Sequence, residues 1–369
     1  MKSIKITSFC VLLRFLVGCS STGNTFPLIA PTISAQPLEY SLIRSNQGMG
    51  FIDKTGRVVV QPKYSNAKPF SDGLAAVEVT QENGEKLWGF INDKNEFVIK
   101  PQYVIVDSFA NKLALVLPKN VFKSVFIDQR GNIAIPSRED LRFTASFSEG
   151  FAPVYAKDKW GLIDTTGKVI VEPKFDYIRN FSNGLAFVSV GKGFNTLGGY
   201  IDRAGHLAVP LTYKQGTNFV GDIALVSSGV FSYLSLIDRH GNIIKQKIDG
   251  SCGQIEDDFS GNLLPARLEL SSQKGFFRND GCGYLDAQGN IAIPPNPKVE
   301  KAGTFSEGLA PVKINSKWGY IDRLGNVLIT PKFETVTPFH NGLAYATVNA
   351  AESGYINHSG QFVWRPVSF

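Results

Sequence analysis

The chain has 369 residues, 43% of them hydrophobic, which is enough to bury a sizeable core and excludes a disordered protein. Its formal charge of +6 is too mild to argue for nucleic acid as a partner. Gly (36) and Phe (27) are abundant and Met (2) is scarce, a balance that suits many short strands joined by turns.

The first element in chain order is a targeting segment over residues 1–18. Lys2 and Lys5 form a positive start, residues 6–17 are mostly apolar although Arg14 interrupts them, and Leu16-Val17-Gly18 leads into Cys19. This resembles a bacterial lipobox. The resemblance implies cleavage before Cys19, diacylation of its thiol, and an exported chain anchored by lipid to a bacterial membrane, facing the periplasm or the exterior. Several acyl chains anchor stably where one binds only marginally. An ordinary secretory leader cut elsewhere is the alternative. Losing Lys2, Lys5 and Arg14 with the leader lowers the formal charge from +6 to +3. No later apolar run approaches the roughly 18 residues of a membrane span. Residues 19–39 hold Ser, Thr, Asn and three prolines (Pro27, Pro31, Pro37) with little pattern, and read as a flexible tether.

Residues 40–369 form one repeating domain. Its clearest unit is Lys317-Trp-Gly-Tyr-Ile-Asp-Arg-Leu-Gly-Asn-Val-Leu-Ile-Thr-Pro-Lys-Phe333, a β-hairpin. Trp318 and Tyr320 alternate with Gly319 and Ile321 at strand period, and Asp322 to Gly325 is turn chemistry. Val327 to Ile329 is a second strand, which Pro331 is expected to stop because proline gives no N–H to a ladder. The core of the hairpin, Gly-aromatic-Ile-Asp or a variant of it, recurs nine times. With the Asp or Asn as ruler, the gaps are 39, 36, 36, 38, 36, 48, 36 and 35 residues. Such a period defines a repeat architecture. A second motif lies between the hairpins: Phe305-Ser-Glu-Gly-Leu-Ala-Pro-Val312, with counterparts opening at Phe70, Phe147, Phe181 and Phe339 and weaker ones at Phe109, Phe219 and Phe259. It supplies a turn and a strand A ahead of strand B with its Trp-Gly and strand C.

Lys159-Trp160-Gly161, Lys317-Trp318-Gly319 and Leu87-Trp88-Gly89, with Ile-Asp-x-x-Gly and Pro-Lys-Phe/Tyr following, resemble the signature of the bacterial WG-repeat (KWG) family. The likeness spans roughly residues 40–369. Met49, Gly198, Cys282 and Ser353 stand where other units have Trp. The resemblance implies an architecture more than an activity.

The expected fold is all-β, with about eight to nine antiparallel units. Pro153, Pro265 and Pro311 recur at one place in strand A, which implies an edge position and favours a β-propeller-like ring, whose innermost strands are such edges. An open solenoid of stacked hairpins is the alternative. Leu38 to Arg44 stand ready to supply a missing first strand A, or to complete the last blade.

The 48-residue gap holds an insertion at about 249–282, with Cys252 and Cys282 at its edges. In an oxidising envelope this even pair reads as a disulfide pinning the insertion to the repeat body; two buried free thiols are the alternative. Function is expected where the pattern is broken, and so at this insertion.

No catalytic constellation and no cofactor or metal motif emerges. The recurring Asp reads as a turn residue. His206, His240, His340 and His358 sit in turns without ligand spacing. Glu256-Asp257-Asp258 reads as solvated rather than as a Ca²⁺ site. Trp88, Trp160 and Trp318 are candidate ligand contacts through sugar stacking, or else core residues sealing unit against unit. The reading that follows is an envelope lipoprotein displaying a non-enzymatic interaction module for a protein partner or a cell-wall polysaccharide. A glycan hydrolase drawing on Glu149, Glu256 and Glu307 is the alternative, and a structural role in envelope assembly is a third.

Overall fold

The computed structural model describes residues 39–229, 233–253, 263–269 and 280–366. The targeting segment with Cys19, nearly all of the tether, and Glu256-Asp257-Asp258 lie outside them. Among the described residues there is no α-helix, and antiparallel strands make up nine consecutive units.

Unit 8 shows the pattern. A leading strand Val299–Ala302 pairs with strand A, Ala310–Ile314; A pairs with B, Lys317–Ile321; B pairs with C, Val327–Phe333. Strand order in space is strand order in sequence, because each connection is a tight turn. The A–B turn is Asn315-Ser316, both residues at positive φ (51° and 63°), the twist that two-residue hairpins require. Units 4, 5, 6 and 9 repeat this four-stranded plan. In unit 4 the strands are Arg142–Phe143, Phe151–Ala156, Lys159–Asp164 and Val169–Phe175; in unit 5, Tyr177–Ile178, Ala186–Val190, Leu197–Ile201 and Leu207–Tyr213. Phe97–Val106 is long enough to be strand C of unit 2 and to lead unit 3. Unit 1 begins with strand A, Ser41–Ser45, so the described part of the Leu38 to Arg44 segment pairs within the first unit and not the last.

Two expectations about proline need correction. Strand C does not stop at Pro331; it runs on to Phe333, with a register shift between Trp318 and Tyr320 on strand B opposite. The proline sits in that bulge, where no ladder N–H is wanted. Strand A of units 4 and 8 is not an edge either, whereas that of unit 7, with Pro265, is the edge of its three-stranded sheet. In units 4 and 8 the proline carbonyls accept from the leading segment, Gly303 N to Pro311 O at 2.8 Å and Thr144 Oγ1 to Pro153 O at 3.1 Å. The leading strand there is only two to four residues long, so the absent N–H disturbs little.

The two sequence motifs meet across each seam. The strand-B aromatic of one unit packs on the turn Phe of the next: Phe51 on Phe70, Phe90 on Phe109, Phe126 on Phe147, Tyr200 on Phe219, Tyr284 on Phe305 and Tyr320 on Phe339. Centroid separations run from 4.7 to 4.9 Å. All but Phe70 are buried, and each pair adds about 0.5–1.5 kcal/mol beyond its buried area. Where the turn carries Ser, its hydroxyl reaches the next Phe carbonyl, as in Ser148 to Phe181 O (2.8 Å) and Ser182 to Phe219 O (2.7 Å).

The same contacts join the last unit to the first. Tyr200, Tyr284 and Tyr320 donate to Thr217 O, Gly303 O and Thr337 O of the following unit at 2.7–2.8 Å. Tyr355 of unit 9 donates to Leu42 O of unit 1 at 2.8 Å. Hairpin glycines of one unit lie on strand C of the unit before, as Gly325 lies on Ile293 and Gly360 on Ile329. Gly56 of unit 1 lies on Val363 of unit 9, and Ile43, Ile52 and Leu343 form one buried cluster there. Nine units therefore form a closed, β-propeller-like ring.

Candidate ligand-binding surface

The Trp-Gly pair has separate physical reasons for its two residues. A Cβ on Gly319 would lie 2.3 Å from Ile329 O and 2.7 Å from Pro331 N; on Gly161, 2.4 Å from Val171 O; on Gly89, 2.6 Å from Ile99 O. The strand-C bulge presses its backbone onto strand B at this point, and only glycine leaves room. The motif lysine is tied as well: Lys159 pairs with Asp176 at 2.8 Å and Lys317 with Glu334. The lysine of Pro-Lys-aromatic lies over its own neighbour's ring, at 5.3 Å for Lys174 on Phe175 and 5.1 Å for Lys332 on Phe333.

The three tryptophans differ. Trp88 is 9% exposed and belongs to the core beside Phe90 and Tyr103. Trp160 and Trp318 are half-buried and form walls of surface clefts. Strand register places each inside a cross-strand row of four residues, flanked by strand A on one side and strand C on the other. In unit 4 the row is Arg142, Tyr155, Trp160 and Phe175. The Arg142 guanidinium lies 5.1 Å from the Tyr155 ring, and Tyr155 meets Trp160 edge-on at 5.1 Å. In unit 8 the row is Lys301, Lys313, Trp318 and Phe333. The Trp160 cleft also contains Asp158 and Asp176, whereas no carboxylate lines the Trp318 cleft among the described residues.

Two units lacking the Trp, 5 and 9, bring a strand-A aromatic toward its place. In unit 5, Phe187 lies so close that a Cβ on Gly198 would stand 2.2 Å from its Cζ. In unit 9, the Tyr345 hydroxyl reaches Ser353 Oγ at 2.8 Å. Units with a Trp have Ala76, Pro153 or Pro311 at that strand-A place. In unit 7, Cys282 takes the Trp place and is joined to Cys252, with Cα atoms 5.5 Å apart. Cys252 lies in the 3-10 turn Gly250–Cys252 and is buried, so the bridge ties that turn to strand B, Asp280–Leu285.

The recurring Asp builds turns. Asp322 Oδ1 accepts from the Leu324 and Asn326 amides at 2.9 and 2.8 Å, and Asp53 Oδ1 from those of Thr55 and Arg57 at 2.9 and 3.1 Å. Asn92 and Asn357 make the same turn with a neutral amide. Burial opposes ionisation of Asp53, but hydrogen bonds from Thr55 and Arg57 outweigh it and hold its carboxyl at about 2. Asp128, Asp164 and Asp238, opposed by burial but held by their turn hydrogen bonds, are lowered too. Turn hydrogen bonds lead the lowering of Asp202 and Asp322. A carboxyl depressed in the folded state contributes stability above its unfolded value of about 3.9, and that contribution is lost as pH falls through the folded value. The urea midpoint is thus expected to drop between about pH 4 and 2. Asp53→Asn is expected to flatten part of that drop, and an unchanged pH profile would refute the assignment.

Of the glutamates considered for hydrolysis, Glu256 lies outside the described residues, and Glu149 and Glu307 sit in the turns of different units. Glu149, in the unit 4 turn, accepts from Arg203 at 2.9 Å and from the Gly184 amide at 2.8 Å. Glu307, in the unit 8 turn, meets His358 at 2.9 Å and the Gly342 amide at 3.1 Å. Each ties its turn to the following unit, a role with no sequence signal beyond the Phe-Ser-x-Gly motif itself.

Comparison with known proteins agrees with the repeat. A family model described as a WG containing repeat matches residues 49–81, 88–120, 160–193, 199–229, 283–318 and 318–350. No curated protein matches in sequence. Among solved structures, a eukaryotic initiation factor is similar in fold, with TM-score 0.55 and 11% identity over 86% of this chain and 93% of that one. Hsv2p of Kluyveromyces lactis covers 70% of this chain and 92% of its own, with 10% identity and a TM-score of 0.36.

Proposed function

This chain belongs to the WG-containing repeat family, and from that premise we propose that it is a non-enzymatic interaction module displayed by a lipoprotein of the bacterial cell envelope. Cys19 would carry the lipid, and the ring would stand off the membrane on residues 19–39. The ligand would be a cell-wall polysaccharide held against the half-exposed tryptophans, with a protein partner as the other class. The observation that carries this reading is the pair of rows, each containing a basic residue, in which Trp160 and Trp318 open onto clefts. A tryptophan needed only for packing would be covered, as Trp88 is.

The experiment is co-sedimentation of the full chain, carrying Cys19→Ser to prevent lipidation, with purified cell-wall sacculi at physiological salt. Trp88→Ala, Trp160→Ala and Trp318→Ala are run beside it, each checked for folding by near-UV circular dichroism. Binding is expected, with a loss of about tenfold or more in folded Trp318→Ala and Trp160→Ala. Absence of pelleting, or folded tryptophan variants that pellet like the parent, would overturn the polysaccharide reading and direct attention to protein partners.

A further inference from the structure

We infer that the cleft beside Trp318, between units 8 and 9, is a subsite for a sugar bearing a carboxylate or phosphate. The inference rests on the polysaccharide reading above and names the ligand's chemistry. The cleft encloses about 470 Å³. That is within the range of small-molecule sites. Its floor is apolar: Trp318, Pro311 and Pro338 offer flat faces suited to the C–H side of a pyranose ring. Its polar groups are Lys301, Lys313 and the largely buried Thr304, with no acid among the described lining residues.

Register fixes how these groups could act together. Lys313 stands directly opposite Trp318, and Lys301 directly opposite Lys313 on the next strand. Neighbouring strands lie about 4.8 Å apart, close to the width of one sugar ring. A ring over the Trp318 indole would place a charged substituent at the Lys313 ammonium. Lys301 also donates to Ser251 O at 2.9 Å, which holds its stem along the cleft rim. Ammonium groups gathered without a carboxylate among the described residues favour an anion, and the indole favours a ring over a bare ion.

The corresponding cleft between units 5 and 6 repeats the chemistry with different residues. It encloses about 410 Å³ and is lined by Arg179 and Lys214, with the exposed Tyr177 as a ring face and no acid among the described lining residues. Two clefts of one sign and one plan, three units apart, suit a polymer with a repeated charge.

The test is tryptophan-fluorescence titration of the full chain carrying Cys19→Ser with three oligomers of equal length: an oligogalacturonate, a glycerol phosphate oligomer and a neutral cello-oligosaccharide. One or both charged oligomers are expected to bind, and the neutral one to bind at least about tenfold more weakly. Which charged oligomer binds tells carboxylate from phosphate. Lys313→Gln is expected to weaken binding about tenfold, Lys313→Arg to retain most of it, and Lys123→Gln, at an exposed ion pair with Glu139, to leave it unchanged. Equal affinity for the neutral oligomer, no binding of either charged one, or an equal loss from Lys123→Gln would overturn the inference. Sacculus binding without charge preference would sink this inference and leave the polysaccharide reading standing. Oligomer binding without sacculus binding would do the reverse.

Discussion

Gly319→Ala is expected to destabilise the ring by about 3 kcal/mol, as large a loss as removing a buried side chain. The reason is steric and lies in the backbone. The added methyl would meet Ile329 O at 2.3 Å and Pro331 N at 2.7 Å, and neither atom can swing away as a side-chain tip can. Strand C could retreat only by giving up the bulge that carries Pro331, which would disturb the pairing of Trp318 with Phe333. Gly161→Ala should behave alike, since Val171 O and Pro173 N stand in the same places. The check is urea denaturation followed by near-UV signal. A midpoint unchanged from the parent would mean that the glycine is not required by the bulge.

The second large effect is an exchange in unit 5. Phe187→Ala alone should cost about 3–5 kcal/mol, because the ring is buried against Tyr200 and leaves a cavity. Gly198→Trp alone should cost about 3 kcal/mol, because the indole would need the volume the Phe187 ring fills. The double variant recreates the arrangement of units 2, 4 and 8, a small strand-A residue with Trp on strand B. It is expected to recover about 2–3 kcal/mol of the summed loss, a coupling that contacting residues can show. Strict additivity would refute the idea that the two positions share one volume. The Ser353 and Tyr345 pair in unit 9 would then need a separate explanation.

How much of this was legible follows from where each signal resides. Strand B, its Asp turn and the Phe-led turn are local patterns, so the number of hairpins and the all-β character could be read directly. The leading strands could not. Those of units 4, 5, 6 and 9 are two residues long, and no periodicity survives in two residues. Without them strand A looks like an edge, which is why its prolines suggested one. The meeting of Tyr320 with Phe339 was hidden because pattern alone does not say which neighbours touch across a seam. The site was half visible. Trp318 was evident, but its basic companions depend on register. Lys313 follows from the two-residue turn at Asn315-Ser316, whereas Lys301 depends on pairing with the leading strand. The exchange of Gly198 with Phe187 needed two diagonal neighbours to be seen at once.

Closure of unit 9 onto unit 1 has a consequence for how such a protein can change in length. A stack of hairpins can gain or lose one copy at either end, because its terminal faces are free. Here Tyr355 already has Leu42 and Gly56 already has Val363. An extra copy would have to open every seam slightly, and a deleted one would leave a gap that the remaining eight must bend to shut. Copy number is therefore quantised by curvature: the angle set by each aromatic seam selects nine, and evolution of a ring with another number requires those seams to change together.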